Sequence, residues 1–284
     1  MGTLYLVATP IGNLEDMTFR ALRTLKEVAL IAAEDTRTAR QLLAHFEISK
    51  PVTSYFEHNK LTKLDAILAA LEHGDVAIIS EAGMPGLSDP GYELVCAALA
   101  REIRVVPIPG ASAVLSAVVA SGLPTDQFTF LGFLPRQKNA RREFLQAVAA
   151  ERRTLVVFES PHRIRESLDD LAAILGDRAI CVARELTKFY EEFFRGTLSL
   201  ACAHFAEHEP RGEFTLVIAG CAHAAETAPA ETWDDARVFA AMRELLSAGT
   251  ARTDAAKRVA RLAHRDRRAV YQLTLDAEKV AREP

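Results

Sequence analysis

The chain is poor in cysteine and has no long apolar run. Its cysteines are far apart and form no C-x-x-C pair, so neither a disulfide framework nor a zinc or other metal site is indicated. We interpret them as small buried hydrophobic residues in a reducing compartment. No apolar stretch approaches the length that crosses a bilayer. The four cysteines are Cys96, Cys181, Cys202 and Cys221.

The N-terminal residues lack the features of a targeting segment. No basic region precedes the first strand-like stretch, which argues against a signal peptide. Gly2 is followed by Leu6 at the position where N-myristoylation requires Ser or Thr. We therefore expect a cytoplasmic protein that does not bind membranes.

Common catalytic and phosphate-binding motifs are absent as well. The sequence has no G-x-x-x-x-G-K-[ST] loop, no G-x-G-x-x-G after the first strand, no H-E-x-x-H and no G-x-S-x-G. The turn after the first predicted strand, residues 9–14, is too poor in glycine for a pyrophosphate cradle. A small ligand of this chain therefore need not carry phosphates.

The composition is that of a globular protein with two domains and a small appendage. Of 284 residues, 49% are hydrophobic and 25% are charged. The net charge of −4 argues against unspecific coating of nucleic acid. It does not exclude a local basic surface, because the distribution of charge decides that question.

The order of strand and helix patterns predicts the domain organisation. Short apolar strands alternate with amphipathic helices over residues 1–120, which predicts an α/β domain with a mostly parallel sheet. Residues 121–223 predict a second α/β domain, whose sheet is mixed because short turns separate its late strands. Residues 224–232 are rich in Ala, Glu, Thr and Pro and predict a linker. Three short helical patterns in residues 233–284 indicate a helix-turn-helix-like module.

The loop of residues 83–91 is the strongest sign of a ligand. It holds three glycines and two prolines between an apolar strand and a helical pattern. Glycine lets backbone approach a ligand closely, and proline stiffens the curve. For its last third we predict Asp89 as the N-cap and Pro90 as the first residue of the next helix.

Two further loops follow predicted strands, at residues 9–14 and 109–113. The carboxyl ends of parallel strands share one edge of a sheet, so all three loops can converge on one crevice. Together they predict a small-molecule site.

Residues 34–37, Glu-Asp-Thr-Arg, also follow a strand, and two interpretations stay open. In one, Glu34 and Asp35 are a carboxylate pair that faces the crevice beside Arg37. In the other, Asp35 or Thr36 caps the next helix and the remaining charges are solvated.

Basic residues concentrate in three segments, which is typical of contact with a polyanion. The first segment alone would be interpreted as a solvated face. The third outnumbers its neighbouring acids and lies on the helix-turn-helix-like module, so we predict nucleic-acid contact there. The segments contain Arg136, Lys138, Arg141 and Arg142; His162, Arg163 and Arg165; and Arg252, Lys257, Arg258, Arg261, Arg265, Arg267 and Arg268.

Two aromatic features are interpreted as packing rather than as nucleic-acid contacts. Trp233, the only tryptophan, is predicted to anchor the core of the small C-terminal module. Residues 189–194 are aromatic but interrupted by acids, which disfavours stacking on bases and favours core or subunit-interface packing.

Eight motifs follow one another along the chain: LYLVATPIGNL (4–14), EDTR (34–37), SEAGMPGLSDPG (80–91), PGASA (109–113), GFLPR (132–136), ESPHR (159–163), RELTK (184–188) and GEFT (212–215). Together they resemble the motifs of a family of rRNA 2′-O-methyltransferases, the ribosomal small-subunit RNA methyltransferases I, in the tetrapyrrole methylase superfamily. The resemblance covers almost the whole chain. It departs at two residues, Glu81 and Met84, because that family usually has Asp-Ala-Gly-Thr-Pro where this chain has Glu-Ala-Gly-Met-Pro at residues 81–85.

The resemblance implies a two-domain α/β fold of class III methyltransferases, usually a homodimer, that binds S-adenosylmethionine between its domains. The implied activity is methylation of a cytidine ribose 2′-oxygen in 16S rRNA of the small ribosomal subunit. The implied cofactor residues are Ala8, Thr9, Pro10, Glu81, Ala82, Gly83, Met84, Pro85, Leu87, Gly110, Ala111, Ser112 and Ala113 from the first domain, and Ser160, Arg184 and Thr215 from the second.

For the chemistry, a base that accepts the ribose hydroxyl proton would be useful. We predict Glu34 or Asp35 in that role, with Arg37 and Lys188 orienting phosphates or the acceptor ribose. The predicted RNA contacts are Arg136, Lys138, Arg141, Arg142, His162, Arg163, Arg258, Arg261 and Arg268.

Two other functions compete with this interpretation. A methyltransferase for a small tetrapyrrole would share the fold and the cofactor, but it would need neither the basic segments nor the helical module. A non-enzymatic nucleic-acid-binding protein on a methylase scaffold would not need the crevice loops. A titration with the cofactor separates the latter from an enzyme.

Overall fold

A computed structural model of the chain describes residues 1–56, 60–221, 233–263 and 265–280. The chain forms two compact units, Met1–Cys221 and Ala222–Pro284. The predicted linker, residues 224–232, lies outside the described residues, and the proposed domain boundaries remain predictions. No helix in the described ranges is long and apolar enough to span a membrane.

The first half of the larger unit contains a sheet of five strands, all parallel, in the order β3-β2-β4-β1-β5. The strands are β1 (Leu4–Val7), β2 (Leu30–Ala33), β3 (Val52–Ser54), β4 (Val76–Ile79) and β5 (Val105–Ile108). The helices are α1 (Phe19–Glu27), α2 (Thr36–His45), α3 (Lys60–His73) and α4 (Tyr92–Ala100), with a short 3₁₀ helix at Leu14–Asp16.

Helices cover both faces of this sheet, as the continuous apolar strands predict. Alternate residues of the central strand β4 point to opposite faces. Ala77 and Ile79 pack with residues of α1 and α2, whereas Val76 and Ile78 pack with residues of α3 and α4. The mostly parallel sheet expected from the sequence is confirmed.

The second half contains a mixed sheet in the order β6-β7-β10-β8-β9. Strands β6 and β7 are parallel, and the other three pairs are antiparallel, which confirms the mixed sheet. The strands are β6 (Phe128–Phe133), β7 (Thr154–Glu159), β8 (Ala179–Arg184), β9 (Glu192–Thr197) and β10 (Phe214–Ile218). The helices are α5 (Ala113–Ala120), α6 (Lys138–Ala147), α7 (Ile164–Leu175) and α8 (Leu198–Glu207).

Helix α5 joins the two halves by packing. It follows the last strand of the first sheet, but its Val114, Ala117 and Val118 are buried against the second sheet, with Val156 and Cys181 among their neighbours. The predicted domain boundary after residue 120 therefore assigns α5 to the first domain, whereas the core contacts of this helix are with the second sheet.

Two strands have no counterpart among the predicted elements, and both are edge strands. Strand β3 has only three residues, and β9 carries charged residues at Glu192 and Arg195. Edge strands are covered less completely than central ones and often carry charges. They therefore lack the continuous apolar run that identifies the inner strands.

The aromatic segment 189–194 does not pack as expected throughout. Phe193 and Phe194 contact the cores on the two faces of the second sheet, but Phe189 is 93% exposed and Tyr190 is 68% exposed. These two residues precede β9, in a loop beyond the edge of the sheet. The expectation of core packing is wrong for them.

The smaller unit is a bundle of three short helices within its described residues. They are α9 (Asp235–Ser247), α10 (Arg252–Leu262) and α11 (Arg267–Val280). Val238, Met242 and Val259 are buried in its core, and Trp233 packs against that core with the Arg237 guanidinium 4.8 Å from the centre of its ring. The helix-turn-helix-like module and the anchoring role of Trp233 are confirmed.

A buried ion pair supports the second half and corrects one predicted RNA contact. Arg141 is 1% exposed, and its guanidinium lies 2.8 Å from the Asp170 carboxylate and 3.3 Å from Glu166. Arg142, on the exposed side, lies 3.1 Å from the same aspartate. A buried, paired guanidinium is not available to a phosphate, so the prediction that Arg141 contacts RNA is wrong.

We predict that Asp170→Asn destabilises the protein by about 3 kcal/mol, because it leaves the Arg141 charge buried without its main partner. Arg142→Ala, which removes a partly exposed partner of the same carboxylate, should cost less than about 1 kcal/mol. Urea unfolding followed by circular dichroism measures both. Equal losses of stability in the two variants would contradict the assignment.

Candidate functional site

Three loops of the first sheet meet because their strands end at one level. Val7 is opposite Ile108, and Ala33 is opposite Ile79, each at or next to the end of its strand. The amide of Ala8 donates to the Ile108 carbonyl at 3.2 Å. The loops after β1, β4 and β5 therefore start side by side, as the sequence predicts.

A direct backbone bridge ties two of these loops together. The Thr9 amide donates to the Gly83 carbonyl at 2.9 Å, and the Gly83 amide donates to the Thr9 carbonyl at 3.0 Å. Gly83 has a φ of +79°, a left-handed conformation that favours glycine. The glycine at this position is thus required by the bridge.

A cavity of about 480 Å³ lies between the loops of the first sheet and the second half of the same unit. Such a volume is within the usual range for small-molecule sites. Phe133, Phe158 and Leu186 from the second half give it apolar surface, and both halves contribute polar residues to the lining. The other lining residues are Ile11, Glu34, Glu81, Ala82, Gly83, Met84, Leu87, Ser88, Asp89, Ser112, Ala113, Val114, Glu159, Ser160, Pro161, Glu213, Phe214 and Thr215.

Among the described residues, the charges that line the cavity are all negative. Five carboxyl groups of this part of the chain line it, and none of its described lining residues is Lys, Arg or His. Two are compensated from behind: Glu159 by Arg163 at 2.7 Å, and Glu213 by Lys188 at 2.9 Å. Glu34, Glu81 and Asp89 form no ion pair within the described part of the chain. This arrangement suits a cationic ligand that carries no phosphate.

Burial and mutual repulsion raise the pKa of two of these carboxyl groups. Burial raises the pKa of Glu34, although the amide of Glu81 hydrogen-bonds its carboxylate. Burial, followed by the charge of Glu34, raises the pKa of Asp89 to about 6. Carboxyl groups perturbed in this way are typical of functional sites.

Asp35 has the opposite environment. Its carboxylate accepts hydrogen bonds from the Arg37 guanidinium and from the Arg37 amide, both at 2.7 Å, and it is the N-cap of α2. These bonds lower the pKa of Asp35 to about 2. Of the two interpretations of residues 34–37, Glu34 therefore fits the crevice and Asp35 fits the helix cap.

The comparisons with known proteins are consistent with this geometry. The family model for Tetrapyrrole (Corrin/Porphyrin) Methylases matches residues 3–201. A Synechocystis protein named ribosomal RNA small subunit methyltransferase I is 48% identical over 98% of this chain and 99% of its own length. A Bacillus subtilis protein of the same name is 44% identical over 95% of this chain and 93% of its own length. A Thermotoga maritima protein of that name is 51% identical over 78% of this chain and 99% of its own length.

The chain belongs to the tetrapyrrole methylases. Within them it belongs to the methyltransferase family of these relatives, so the resemblance inferred from the motifs is confirmed. Solved structures agree in fold. The methyltransferase CobJ aligns with a TM-score of 0.57 at 18% identity, over 78% of this chain and 95% of that one. Uroporphyrin-III C-methyltransferase of Thermus thermophilus, solved with S-adenyl homocysteine, aligns with a TM-score of 0.53 at 21% identity, over 77% of this chain and 97% of that one.

In this methylase, the cavity brings together over half of the predicted cofactor residues. They come from four segments of the sequence, two in each half, and all of them line the same cavity. They are Glu81, Ala82, Gly83, Met84, Leu87, Ser112, Ala113, Ser160 and Thr215.

The remaining predicted cofactor residues do not line this cavity. Ala8 and Pro85 are buried behind it, and Gly110 and Ala111 precede the lining residues of their loop. Thr9 and Pro10 line a neighbouring cavity. Arg184 instead donates to the Arg211 carbonyl at 2.7 Å and pairs with Glu192 at 3.0 Å.

Asp89 is the site residue that the sequence analysis assigned to another role. We predicted it as a helix cap with Pro90 following, but α4 begins only at Tyr92 and its N-cap is Gly91, so that prediction is wrong. Gly91 has a φ of +153°, and the backbone of residues 83–91 continues as a loop to that point. The aspartate is thereby available to the cavity.

Glu159 and Glu213 belong to the quoted motifs, but sequence reasoning did not select them. Each is held by a basic residue outside the cavity lining. Glu159 is fully buried and also accepts a hydrogen bond from Ser167 Oγ at 2.6 Å. Lys188, predicted to orient the substrate, lies 2.8 Å from Glu185 as well as near Glu213, and lines the neighbouring cavity.

The predicted RNA contacts divide by exposure. Arg136, Lys138, Arg142 and His162 are exposed, as are Arg258 and Arg268 in the smaller unit. Arg163 is engaged with Glu159 and donates to the Leu134 carbonyl at 2.9 Å. The side chain of Arg261 lies outside the described part of the structure.

We predict that Asp89 titrates with a pKa near 6 and that Glu34→Gln lowers this pKa toward its ordinary value of 3.8, because it removes a neighbouring negative charge. The raised pKa means that the folded state binds the proton more tightly than the unfolded state does. The contribution of Asp89 to stability is therefore present below about pH 4 and is lost as the pH rises through about 6.

A carboxyl carbon NMR titration measures this pKa in the wild type and in the variant. Glu15→Gln, which removes an exposed charge outside the cavity lining, is the matched control. An unchanged Asp89 pKa in Glu34→Gln would show that the two groups do not interact.

Proposed function

We propose that this methylase transfers a methyl group from S-adenosylmethionine to a cytidine ribose 2′-oxygen in 16S rRNA of the small ribosomal subunit. The observation that supports this best is the cavity, in which, as far as the chain is described, three carboxyl groups form no ion pair and no lining residue is basic. The names of relatives that are 44–51% identical support rRNA as the substrate. The identities of 18–21% to CobJ and to the uroporphyrin-III methyltransferase bear on the fold alone.

The cavity residues fit this cofactor. The ammonium and sulfonium groups of S-adenosylmethionine are cations, and Glu34, Glu81 and Asp89 would stabilise them. Phe133 and Phe158, whose ring centres are 5.6 Å apart, offer aromatic surface for an adenine. The lack of basic lining residues agrees with a cofactor without phosphates.

Glu34 is the proposed acceptor of the ribose hydroxyl proton. When bound, S-adenosylmethionine supplies an electrophilic methyl group on a sulfonium. Glu34 lines the cavity, and burial raises its pKa, which makes its carboxylate a stronger base than an ordinary one. Asp35 has a lowered pKa and is a weaker base, so its proposed role is to hold the start of α2.

The smaller unit is proposed to increase affinity for RNA. Arg258 and Arg268 of this unit are exposed, which suits contact with RNA phosphates. The homodimer remains a prediction from the resemblance, and the cytoplasmic location remains a prediction from the N-terminal residues and the cysteines.

The decisive experiment is methyl transfer from labelled S-adenosylmethionine to small ribosomal subunits from cells that lack this protein. Label on a single cytidine 2′-oxygen is the expected result. Cofactor binding without transfer to rRNA would overturn the proposed substrate and favour a small-molecule acceptor.

We predict that Glu34→Gln lowers the single-turnover rate by roughly 100-fold or more at saturating cofactor, because general-base contributions have this size. Asp35→Asn is the matched control, since Asn is an equally good N-cap. It should keep the wild-type rate. Full activity in both variants would exclude this carboxylate pair from the proton transfer.

We predict that Arg258→Ala and Arg268→Ala weaken RNA binding and reduce its salt dependence. The log–log slope should fall by roughly 0.7–0.9 for each phosphate that the variant no longer neutralises. Arg243→Ala, an exposed arginine on α9 outside the predicted contacts, should leave the slope unchanged. Filter binding across a salt series measures the slopes. Deletion of residues 230–284 should have the same effect while sparing cofactor affinity, and unchanged RNA affinity after deletion would contradict the role of the unit.

A further inference from the structure

A second cavity of about 560 Å³ adjoins the cofactor cavity. The two have four lining residues in common, Ile11, Glu81, Ala82 and Glu213, so they are separated by a single layer of residues. The second cavity lies at the same edge of the first sheet, between the loop after β1, the end of β4 and helix α2. An acceptor placed there would be next to the cofactor.

One face of α2 forms a wall of this second cavity. Thr38, Gln41, Leu42 and His45 line it, and their spacing of three and four residues places them on one side of the helix. Thr38, Gln41 and His45 are exposed and offer hydrogen-bond donors and acceptors. The lining also includes the apolar residues Pro10, Leu14, Ala39 and Ile79 and the polar residues Thr9 and Ser80. Apolar surface with hydrogen-bonding groups beside it suits a flat heterocycle with a hydrogen-bonding edge.

The charges around the second cavity differ from those around the first. Lys188 and His45 line it beside Glu81 and Glu213, whereas the cofactor cavity has no basic lining residue. Arg37, which pairs with Asp35 at 2.7 Å, and Arg40 are exposed on the same helix but do not line the cavity. The basic residues that phosphates flanking a nucleoside would meet in its lining are therefore Lys188 and His45.

An exposed aromatic pair directly follows Lys188. The rings of Phe189 and Tyr190 pack edge to face with their centres 5.0 Å apart, and the pair leaves most of its surface open. Exposed aromatic rings near basic residues are the usual platform on which unpaired bases stack. The backbone of this loop is constrained, since Glu185 and Thr187 have φ values of +50° and +68°.

We propose that the second cavity binds the acceptor nucleoside of the RNA, turned out of its strand, with Gln41 and His45 hydrogen-bonding its base. Phe189 and Tyr190 stack on a neighbouring base. Enzymes that modify one nucleotide commonly extrude it into a pocket that reads its edge. This inference rests on the proposed function and specifies where its substrate binds.

The test uses the full-length protein and small ribosomal subunits that lack the modification. Gln41→Ala and His45→Ala are expected to raise the KM for the subunits at least tenfold and to leave the Kd for S-adenosylmethionine within twofold. Gln146→Ala and His73→Ala make the same chemical changes at exposed helical positions outside both cavities and should leave both constants unchanged.

An unchanged KM in both variants would overturn the proposal. A Kd for S-adenosylmethionine that rises as much as the KM would also overturn it, because the second cavity would then belong to the cofactor site. Absence of transfer by the wild type would instead mark failure of the proposed function, which keeps the two outcomes distinct.

The aromatic pair has a test that does not depend on turnover. Ultraviolet cross-linking of the wild type to small-subunit rRNA should yield a nucleotide adduct on the peptide that contains Phe189 and Tyr190. The double variant Phe189→Ala, Tyr190→Ala should lose RNA affinity without a change in molar mass by light scattering. Unchanged RNA affinity together with a smaller molar mass would assign the pair to an interface between copies of the chain and overturn its stacking role.

Discussion

The site depends on one constraint, the common level at which the strands of the first sheet end. Because β1, β4 and β5 run parallel and in register, the loops that follow them leave the sheet side by side. The backbone bridge between Thr9 and Gly83 holds two of these loops together by a pair of hydrogen bonds. It leaves Glu81 and Ala82 on a short, fixed segment that lines both cavities. The order of the strands also matters: β2 leads to β3 on one side and β4 leads toward β5 on the other, and a crevice opens at such a divergence.

The negative charge of the cavity is unfavourable for the stability of the folded protein. Three carboxyl groups without cationic partners in the described residues share a partly buried space. The pKa values of Glu34 and Asp89 are raised because burial disfavours their ionised forms. Elsewhere in the same unit, buried charges are compensated, as with Arg141 and Asp170 or Glu159 and Arg163. The contrast indicates that the negative charge of the cavity serves a ligand rather than the stability of the protein. A cationic cofactor would supply the missing compensation when it binds.

Much of the fold could be predicted from the sequence because the inner strands are covered on both faces. Strand β4 is a continuous apolar run, β10 is apolar except for Thr215, and every residue of both strands is buried. The edge strands β3 and β9 carry no such run, and they could not be recognised. The packing of α5 on the second sheet was also beyond a local interpretation, since its apolar residues fit either half equally well. Core packing was wrong for Phe189 and Tyr190, because aromatic composition does not specify which rings a neighbouring element will cover, and packing at a subunit interface stays a prediction for them.

By itself, the sequence determined the two α/β halves, the helical C-terminal module, the convergence of three loops and the family to which the chain belongs. These follow from apolar periodicity, from glycine and proline in loops, and from the order of motifs, all of which are local or sequential properties. Tertiary structure alone decided the role of each charge. Asp35 and Glu34 are adjacent in sequence, yet one caps a helix with a lowered pKa and the other faces the cavity with a raised one. Arg141 and Arg142 are adjacent too, yet one is buried in an ion pair and the other is partly exposed. The reason is physical: the free energy of a charged side chain depends on its burial and on its neighbours in space. Two residues that are adjacent in the sequence can differ in both.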